Sequence, residues 1–324
     1  MELERFDLPD ELPPGSILAK AGVTMVSAGT EVANYLGRTT ERPPERDEPY
    51  YPGYSFAGEV LAVGKGMERF GPGDRITGPL PHASIVLEAR PERLARITRI
   101  PDGVSDRTAA FSQLSCIALN GVRKASLQLG DRVAVVGAGL VGLLAARLAR
   151  LSGGHPVVSY DLVAERRAKA LEFGMAAAID PASGTADRET AAIAPGGFDV
   201  VIEATGAASA FVPALQLAAQ GARVILLGST RGIVEGFSPY AEAHRKGLSI
   251  IGAHVWTAPT HATVHDKWTE PANRAVLLSL MAEGSFDVTS LVTHEVAPSE
   301  AGAVFAGLAA EPENYVGVEI DWTR

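Results

Sequence analysis

The chain of 324 residues holds one cysteine, Cys116. A single thiol excludes an internal disulfide and any metal centre built on clustered cysteines. No run of Lys and Arg occurs, and the net charge is −9. Phosphate binding needs clustered positive charge, so no nucleic acid partner is expected. No apolar stretch is long enough to cross a bilayer, so no membrane partner is expected either. The opening Met1-Glu2-Leu3-Glu4-Arg5 is charged and lacks an apolar signal core, which fits a cytoplasmic location. Internal repeats and low-complexity tracts are also missing. What is present is ordinary globular material, with 46% hydrophobic and 21% charged residues. That length and composition suit two domains with ample cores.

The most informative stretch runs from Arg132 to Asp161. An apolar run to Val136 is followed by Gly137-Ala138-Gly139-Leu140-Val141-Gly142, a complete G-x-G-x-x-G. A helical segment, Leu140 to Leu151, follows and is stopped by Gly153-Gly154. A second apolar run, Val157 to Tyr160, leads into Asp161. Strand, glycine turn, helix and an acid about 20 residues on form the setting a dinucleotide site needs. Gly137 permits the tight turn, Gly139 lets backbone approach a pyrophosphate, and Gly142 allows close helix–strand packing. The helix N-terminus at Leu140 and Val141 offers free N–H groups to the phosphates. Asp161 can accept hydrogen bonds from ribose hydroxyls and would repel a 2′-phosphate, so the expected cofactor is NAD rather than NADP. Arg166 and Arg167 complicate this, since they could meet a 2′-phosphate by turning inward. Thr205-Gly206 and Gly228-Ser229, where later strands end, are further cofactor-facing candidates.

Strand and helix signals keep alternating after the turn. Arg166 to Phe173 reads as helix, Asp199 to Ala204 as strand, and Ala208 to Gln220 as a helix closed by Gly221. Arg223 to Leu227 and Leu248 to Ile251 read as buried strands. Short apolar runs spaced by helices predict parallel strands with crossovers, a doubly wound Rossmann domain over residues 121–257. The first 120 residues read as a mostly β domain, with strands at Ile17 to Val26, Ser55 to Val63, Asp74 to Gly78 and Ser84 to Leu87. Thr39 to Tyr51 reads as a charged, proline-rich loop. The segment 258–324 carries a helix (Arg274 to Ala282), a strand near Val292 and a helix from Ser299, and is expected to complete the N-terminal domain.

Taken together, the chain resembles the medium-chain dehydrogenase/reductase superfamily, the zinc-alcohol-dehydrogenase-like enzymes. The segments that carry the resemblance are Pro52-Gly53-Tyr54-Ser55-Phe56-Ala57-Gly58-Glu59-Val60, Phe70-Gly71-Pro72-Gly73-Asp74-Arg75, Leu129-Gly130-Asp131-Arg132-Val133, the Gly137–Gly142 turn and Val292-Thr293-His294. The resemblance implies an α/β fold: a GroES-like, mostly β catalytic domain, a Rossmann domain, and an active site between them. It also implies a small-molecule substrate and a homodimer or homotetramer. Where zinc-dependent members carry cysteine, this chain has Ala28. Tyr54-Ser55 stands at the ligand-histidine segment, and Gln113 matches the region of the third, acidic ligand. None of these supplies the thiolate, imidazole or carboxylate that zinc prefers. The lobe with four structural cysteines is absent too. The expectation is therefore no metal. Ser27-Ala28-Gly29-Thr30-Glu31 with Pro52-Gly53-Tyr54 is similar to the branch containing bacteriochlorophyllide dehydrogenases.

Without a metal, other groups must handle the substrate oxygen. Tyr54 is either a hydrogen-bond donor to it or an aromatic that fills the vacated metal site. Thr30 matches a hydroxyl residue that contacts substrate oxygen in zinc relatives, and its alternative is a turn-stabilising role. Glu31 matches an acid behind the metal ligands and reads as an ion-pair or hydrogen-bond partner. Tyr35 stands where zinc-free quinone reductases place a tyrosine at the substrate, or is simply a core aromatic. Ser55 and Gln113 are candidate substrate contacts. So are His254 and Trp256, within a run to Trp268 that also holds His261 and His265. That run has no H-E-x-x-H pattern, and a substrate-facing or subunit-contact loop fits it better than a metal site. His82 and His294 read as isolated, hydrogen-bonded structural histidines. The leading functional expectation is an NAD-dependent, zinc-independent dehydrogenase of secondary alcohols, or the reverse ketone reductase. The alternatives are an enoyl or quinone reductase, and a nucleotide-binding protein whose active site has decayed.

Overall fold

The computed structural model describes residues 3–38, 50–264 and 267–324. The chain divides into two compact units. One joins the chain up to Cys116 with Ala258–Arg324, and the other is the continuous stretch Ile117–Thr257. Most of the Thr39 to Tyr51 loop expectation, and His265, lie outside the described residues.

The first unit opens with β1 (Ile17–Val26), β2 (Phe56–Val63), β3 (Arg75–Gly78), β4 (Ile85–Glu88) and β5 (Thr98–Arg99). β1 pairs antiparallel with β2 and β4, and β2 with β3. Ile17, Ala19, Phe56, Val60, Ile76 and Leu80 meet in one buried cluster. Gly58 is where β2 lies tightest on β1, since a Cβ there would stand 2.1 Å from the Lys20 carbonyl oxygen. A short helix, Ala28–Tyr35, leaves the end of β1. A longer one, Ser112–Lys124, carries the chain from the first unit into the second and was not foreseen.

The second unit is a six-stranded sheet of β6 (Val133–Val136), β7 (Val157–Tyr160), β8 (Ala177–Ile179), β9 (Phe198–Glu203), β10 (Ala218–Leu226) and β11 (Ser249–Gly252). Its spatial order is β11-β10-β9-β6-β7-β8, with every pair parallel. Counted within the unit, that is the doubly wound order of a dinucleotide-binding sheet, which reverses direction at its first strand. β6 and β7 are buried at every position, as expected of strands covered on both faces. The expected helix to Gln220 is shorter: it spans Ala208–Leu217, and Ala218 already pairs with Phe198. Tertiary pairing of small, buried Ala218 overrides the helical preference of the Ala-rich run.

The remaining segment supplies a helix, Glu270–Ala282, then β12 (Val292–Val296), a helix, Ala301–Ala310, and β13 (Gly317–Asp321). β13 lies antiparallel to β1 and parallel to β12, so the first unit's sheet reads β12-β13-β1-β2-β3-β5, with β4 also on β1. Val26, Val304, Phe305, Val318 and Ile320 close a second core beneath it. The fold is α/β, a Rossmann sheet plus a mostly β unit. Among the described residues no helix is long and apolar enough to cross a membrane.

Candidate functional site

The glycine turn follows β6 at the carboxyl edge of the parallel sheet, where the strand order reverses. Such switch points are where open α/β sheets bind ligands. Gly137 adopts φ +100°, and a Cβ there would meet the Thr205 side chain at 2.8 Å. A Cβ on Gly142 would lie 1.9 Å from the Gly137 carbonyl oxygen. Gly139 differs: nothing stands within 4 Å of where its Cβ would be. It is the cap of helix Leu140–Leu151 and makes no side-chain cap bond, which leaves Leu140 and Val141 at a bare helix start. Two glycines are thus required by packing, and one keeps an approach open. That arrangement fits a pyrophosphate on the helix N-terminus.

Asp161 sits just beyond β7. One carboxylate oxygen accepts from Ala138 N at 2.7 Å, inside the glycine turn, and the other from Val163 N at 2.9 Å. Arg167 donates to the Asp161 main-chain oxygen at 2.9 Å and lies 3.3 Å from Asp180. Arg166 is half-buried in the first turn of helix Ala164–Glu172. At the end of β9 stands Glu203, fully buried. Its carboxylate accepts from Thr205 N at 2.7 Å, from the Thr205 hydroxyl, from Gly206 N at 3.2 Å and from the Thr230 hydroxyl at 3.2 Å. Gly228 presses on Gly206, where a Cβ would come within 2.4 Å of the amide nitrogen, and Ser229 is exposed beside it. Glu203 therefore ties the loops after β9 and β10 together. Sequence reasoning missed it, although a carboxylate closing an apolar strand was the available signal.

In the first unit, the Tyr54 hydroxyl donates to Ser27 Oγ. Burial pushes the Tyr54 phenol up to about 12. The nearby Glu31 carboxylate adds to this, while the Ser27 and Thr30 hydroxyls pull it down. Glu31 is buried at the start of helix Ala28–Tyr35. It accepts from Ser27 N at 2.9 Å, and its other oxygen lies 2.9 Å from His82 Nε2. His82 N donates to Pro52 O at 3.0 Å. Gly53 has φ +102°, and its missing Cβ would stand 2.3 Å from His82 N and 2.6 Å from the ring. Ser27, Thr30, Glu31, Tyr54 and His82 thus form one polar cluster. Ser27 and His82 had not been singled out for it, because their partners are distant in sequence.

The other candidates have partners of their own. Ser55 is fully buried and its hydroxyl donates to Ala110 O at 2.7 Å. Gln113 accepts from the fully buried Arg274, which is also 2.8 Å from Glu270. Arg96 pairs with the same Glu270. The region of the expected third ligand therefore holds a buried Arg–Glu–Arg network. Tyr35 is 43% exposed and packs edge-on against Phe305. His254 and Trp256 belong to the second unit, just after β11. Both are exposed, and Trp256 N lies 3.3 Å from His254 Nδ1. Ala28, Tyr54 and Gln113 offer no zinc-type donor set. Among the described residues no group of three or more His, Cys, Asp or Glu could hold a metal ion.

Residues 141–275 match a family described as zinc-binding dehydrogenase. The chain is 28% identical over 328 residues to (R,R)-butanediol dehydrogenase of Bacillus subtilis, covering 91% of this chain and 89% of that protein. It is 27% identical over 327 residues to 2-desacetyl-2-hydroxyethyl bacteriochlorophyllide A dehydrogenase of Cereibacter sphaeroides, covering 97% and 92%. Galactitol-1-phosphate dehydrogenase from Escherichia coli shares the fold, with a TM-score of 0.84, 17% identity, and coverage of 99% and 96%.

Proposed function

We propose that this chain, an oxidoreductase of the medium-chain, zinc-dehydrogenase-like kind, uses NAD to oxidise a secondary alcohol, or NADH to reduce the ketone, without a metal. The relatives are alcohol and diol dehydrogenases, which supports a secondary alcohol as substrate. The observation that carries the metal-free part is the Tyr54 cluster. At the position where the resemblance puts a ligand histidine there is a phenol bonded to Ser27, with Glu31 beside it.

When bound, the nicotinamide supplies or accepts the hydride. To give a hydrogen bond to the substrate oxygen, the single Tyr54 hydrogen turns from Ser27 Oγ, and the Ser27 hydroxyl then donates to the phenol oxygen. With its ionisation pushed up to about 12, Tyr54 stays protonated at neutral pH and acts as donor rather than base. A buried donor aimed at a developing alkoxide contributes about 3–4 kcal/mol. Thr30 is too weak an acid to act alone and orients the phenol. Asp161, just beyond β7, would repel a 2′-phosphate, which supports a preference for NAD. The glycine turn, with its packed Gly137 and Gly142 and its open Gly139, holds the phosphates.

A weakly acidic phenol also suits hydride addition to an activated C=C, where little acid is needed. The test is therefore a panel: acetoin, fructose and cyclohexanone against 2-cyclohexenone and a benzoquinone, with NADH loss followed by absorbance. Ketone reduction without enone or quinone reduction is expected. The opposite pattern would replace this reading with an enoyl or quinone reductase. Tyr54→Phe keeps the ring and removes the hydroxyl, and ketone turnover should fall by about a hundredfold or more. Wild-type turnover in that variant would leave Tyr54 a space-filler. Elemental analysis should find no stoichiometric zinc; about one zinc per chain, with activity lost on chelation, would overturn the metal-free part.

A further inference from the structure

We propose that Glu31 and His82 act as one positioning pair for the Tyr54–Ser27 couple, and that the number of protons on the His82 ring sets the charge Tyr54 faces. The inference rests on reading Tyr54 as the donor to substrate oxygen. Three observations carry it. Glu31 is braced at both ends, by Ser27 N at 2.9 Å and by His82 Nε2 at 2.9 Å. The side chains are out of water: His82 is 5% exposed and Glu31 0%. The ring is fixed to the turn that carries Tyr54, through His82 N on Pro52 O and the missing Cβ of Gly53. Moving the imidazole would therefore move the phenol.

The ring's second nitrogen completes the argument. His82 Nδ1 is buried and has no hydrogen-bond partner among the described residues. An ionised carboxylate only accepts, so the hydrogen facing Glu31 is on Nε2 and Nδ1 is left with a bare lone pair. A buried, unanswered lone pair is costly. A second proton has one place to go, Nδ1. With one ring proton the pair carries a full negative charge beside Tyr54. With two it is neutral overall. Among the described residues, Glu31 from the helix faces the ring, and Glu31 and Tyr50, from the segment before β2, both act on the phenol in the upward direction. The neutral pair makes Tyr54 a better donor to a developing alkoxide. Ketone reduction should then be faster below the pH at which the ring gives up its second proton, and alcohol oxidation should gain above it.

The measurement that decides needs no substrate. In protein labelled with 15N-histidine and 13Cζ-tyrosine, the His82 ring should show the Nε2–H tautomer at high pH. The Tyr54 Cζ resonance, identified by its loss in Tyr54→Phe, should step at the same pH as the His82 ring nitrogens. In His82→Gln, which still donates to Glu31 but takes no proton, the step should vanish. Turnover of the fastest panel ketone should change about tenfold across the step in the parent protein, and less than about twofold in His82→Gln, with little change in KM for NADH. A Tyr54 resonance that ignores the His82 titration, an Nδ1–H tautomer, or a step that persists in His82→Gln would overturn the pair. Wild-type turnover in Tyr54→Phe would instead remove the reading it rests on. If His82→Gln fails to fold, the decision rests on the parent protein and Tyr54→Phe, where a Tyr54 resonance that does not step with the His82 ring overturns the pair.

Discussion

Asp161 binds the glycine turn through Ala138 N as well as presenting a negative charge beyond β7. The two roles separate under mutation. Affinity for NADH over NADPH should be at least about tenfold, which one carboxylate–phosphate repulsion of about 1.4 kcal/mol suffices to give. Asp161→Asn keeps oxygen toward the turn but removes the charge, so the preference should narrow toward unity while most NADH affinity survives. Asp161→Ser should narrow it too and also weaken NADH, because the bonds to Ala138 and Val163 go. Fluorescence titration with both cofactors checks this; equal affinities in the parent chain would end the assignment to NAD. At this scale the sequence is legible only where function has a local spacing. The glycines and Asp161 lie within one short stretch of chain. Ser27, Tyr54 and His82 are 27 and 28 residues apart, and no periodicity links them. Ser55 and Gln113 look like available polar groups in a string of letters. Their bonds to Ala110 and Arg274 appear only when the chain is folded.

Among elements, the strand–turn–helix of β6 and Leu140–Leu151 offers a contrast between two glycines. Gly142→Ala forces a methyl to within 1.9 Å of the Gly137 oxygen, so helix and strand must separate. Stability should fall by about 1–3 kcal/mol, with NADH affinity reduced alongside. Gly139→Ala meets nothing within 4 Å and has a backbone φ of −68° that alanine accepts. Its unfolding midpoint should be unchanged while NADH affinity drops at least about tenfold, because the methyl fills the approach to the phosphates. Thermal unfolding and NADH titration of the two variants check both claims; normal NADH affinity in Gly139→Ala would show that the turn does not receive a pyrophosphate. Helix Leu140–Leu151 and strand Val157–Tyr160 were readable to the residue because buried parallel strands and an Ala/Leu helix have strong patterns. Helix Ser112–Lys124 was not. Its Ser, Cys, Asn and Gly are weak helix formers, and packing holds it instead: a Cβ on Gly121 would come 3.0 Å from Leu227. β13 escaped notice because Glu319 interrupts its apolar run, yet that carboxylate is fully buried.

For the molecule as a whole, Glu319 links structure to pH. Burial raises its pKa to about 7, and Glu295 and Asp321 add to the rise, against Arg107 and Arg324. A carboxyl with a raised folded pKa is favoured in its neutral form. Its contribution to stability is complete below the ordinary carboxylate range and is lost as pH rises through about 7. Urea unfolding should show the parent chain losing stability between pH 5 and pH 8 relative to Glu319→Gln; parallel curves for the two proteins would refute this. The strand that carries Glu319 has another consequence. β13 lies between β12 and β1 in the interior of its sheet, although the whole Rossmann unit separates it from β1 in sequence. The Rossmann unit is a continuous segment that ends at Thr257. On the ribosome, that middle segment can fold as soon as it clears the exit tunnel, while β1, made before it, gains its partner β13 only after it. A product stalled before β13 would therefore carry a complete Rossmann sheet and a β1 with one edge left unpaired.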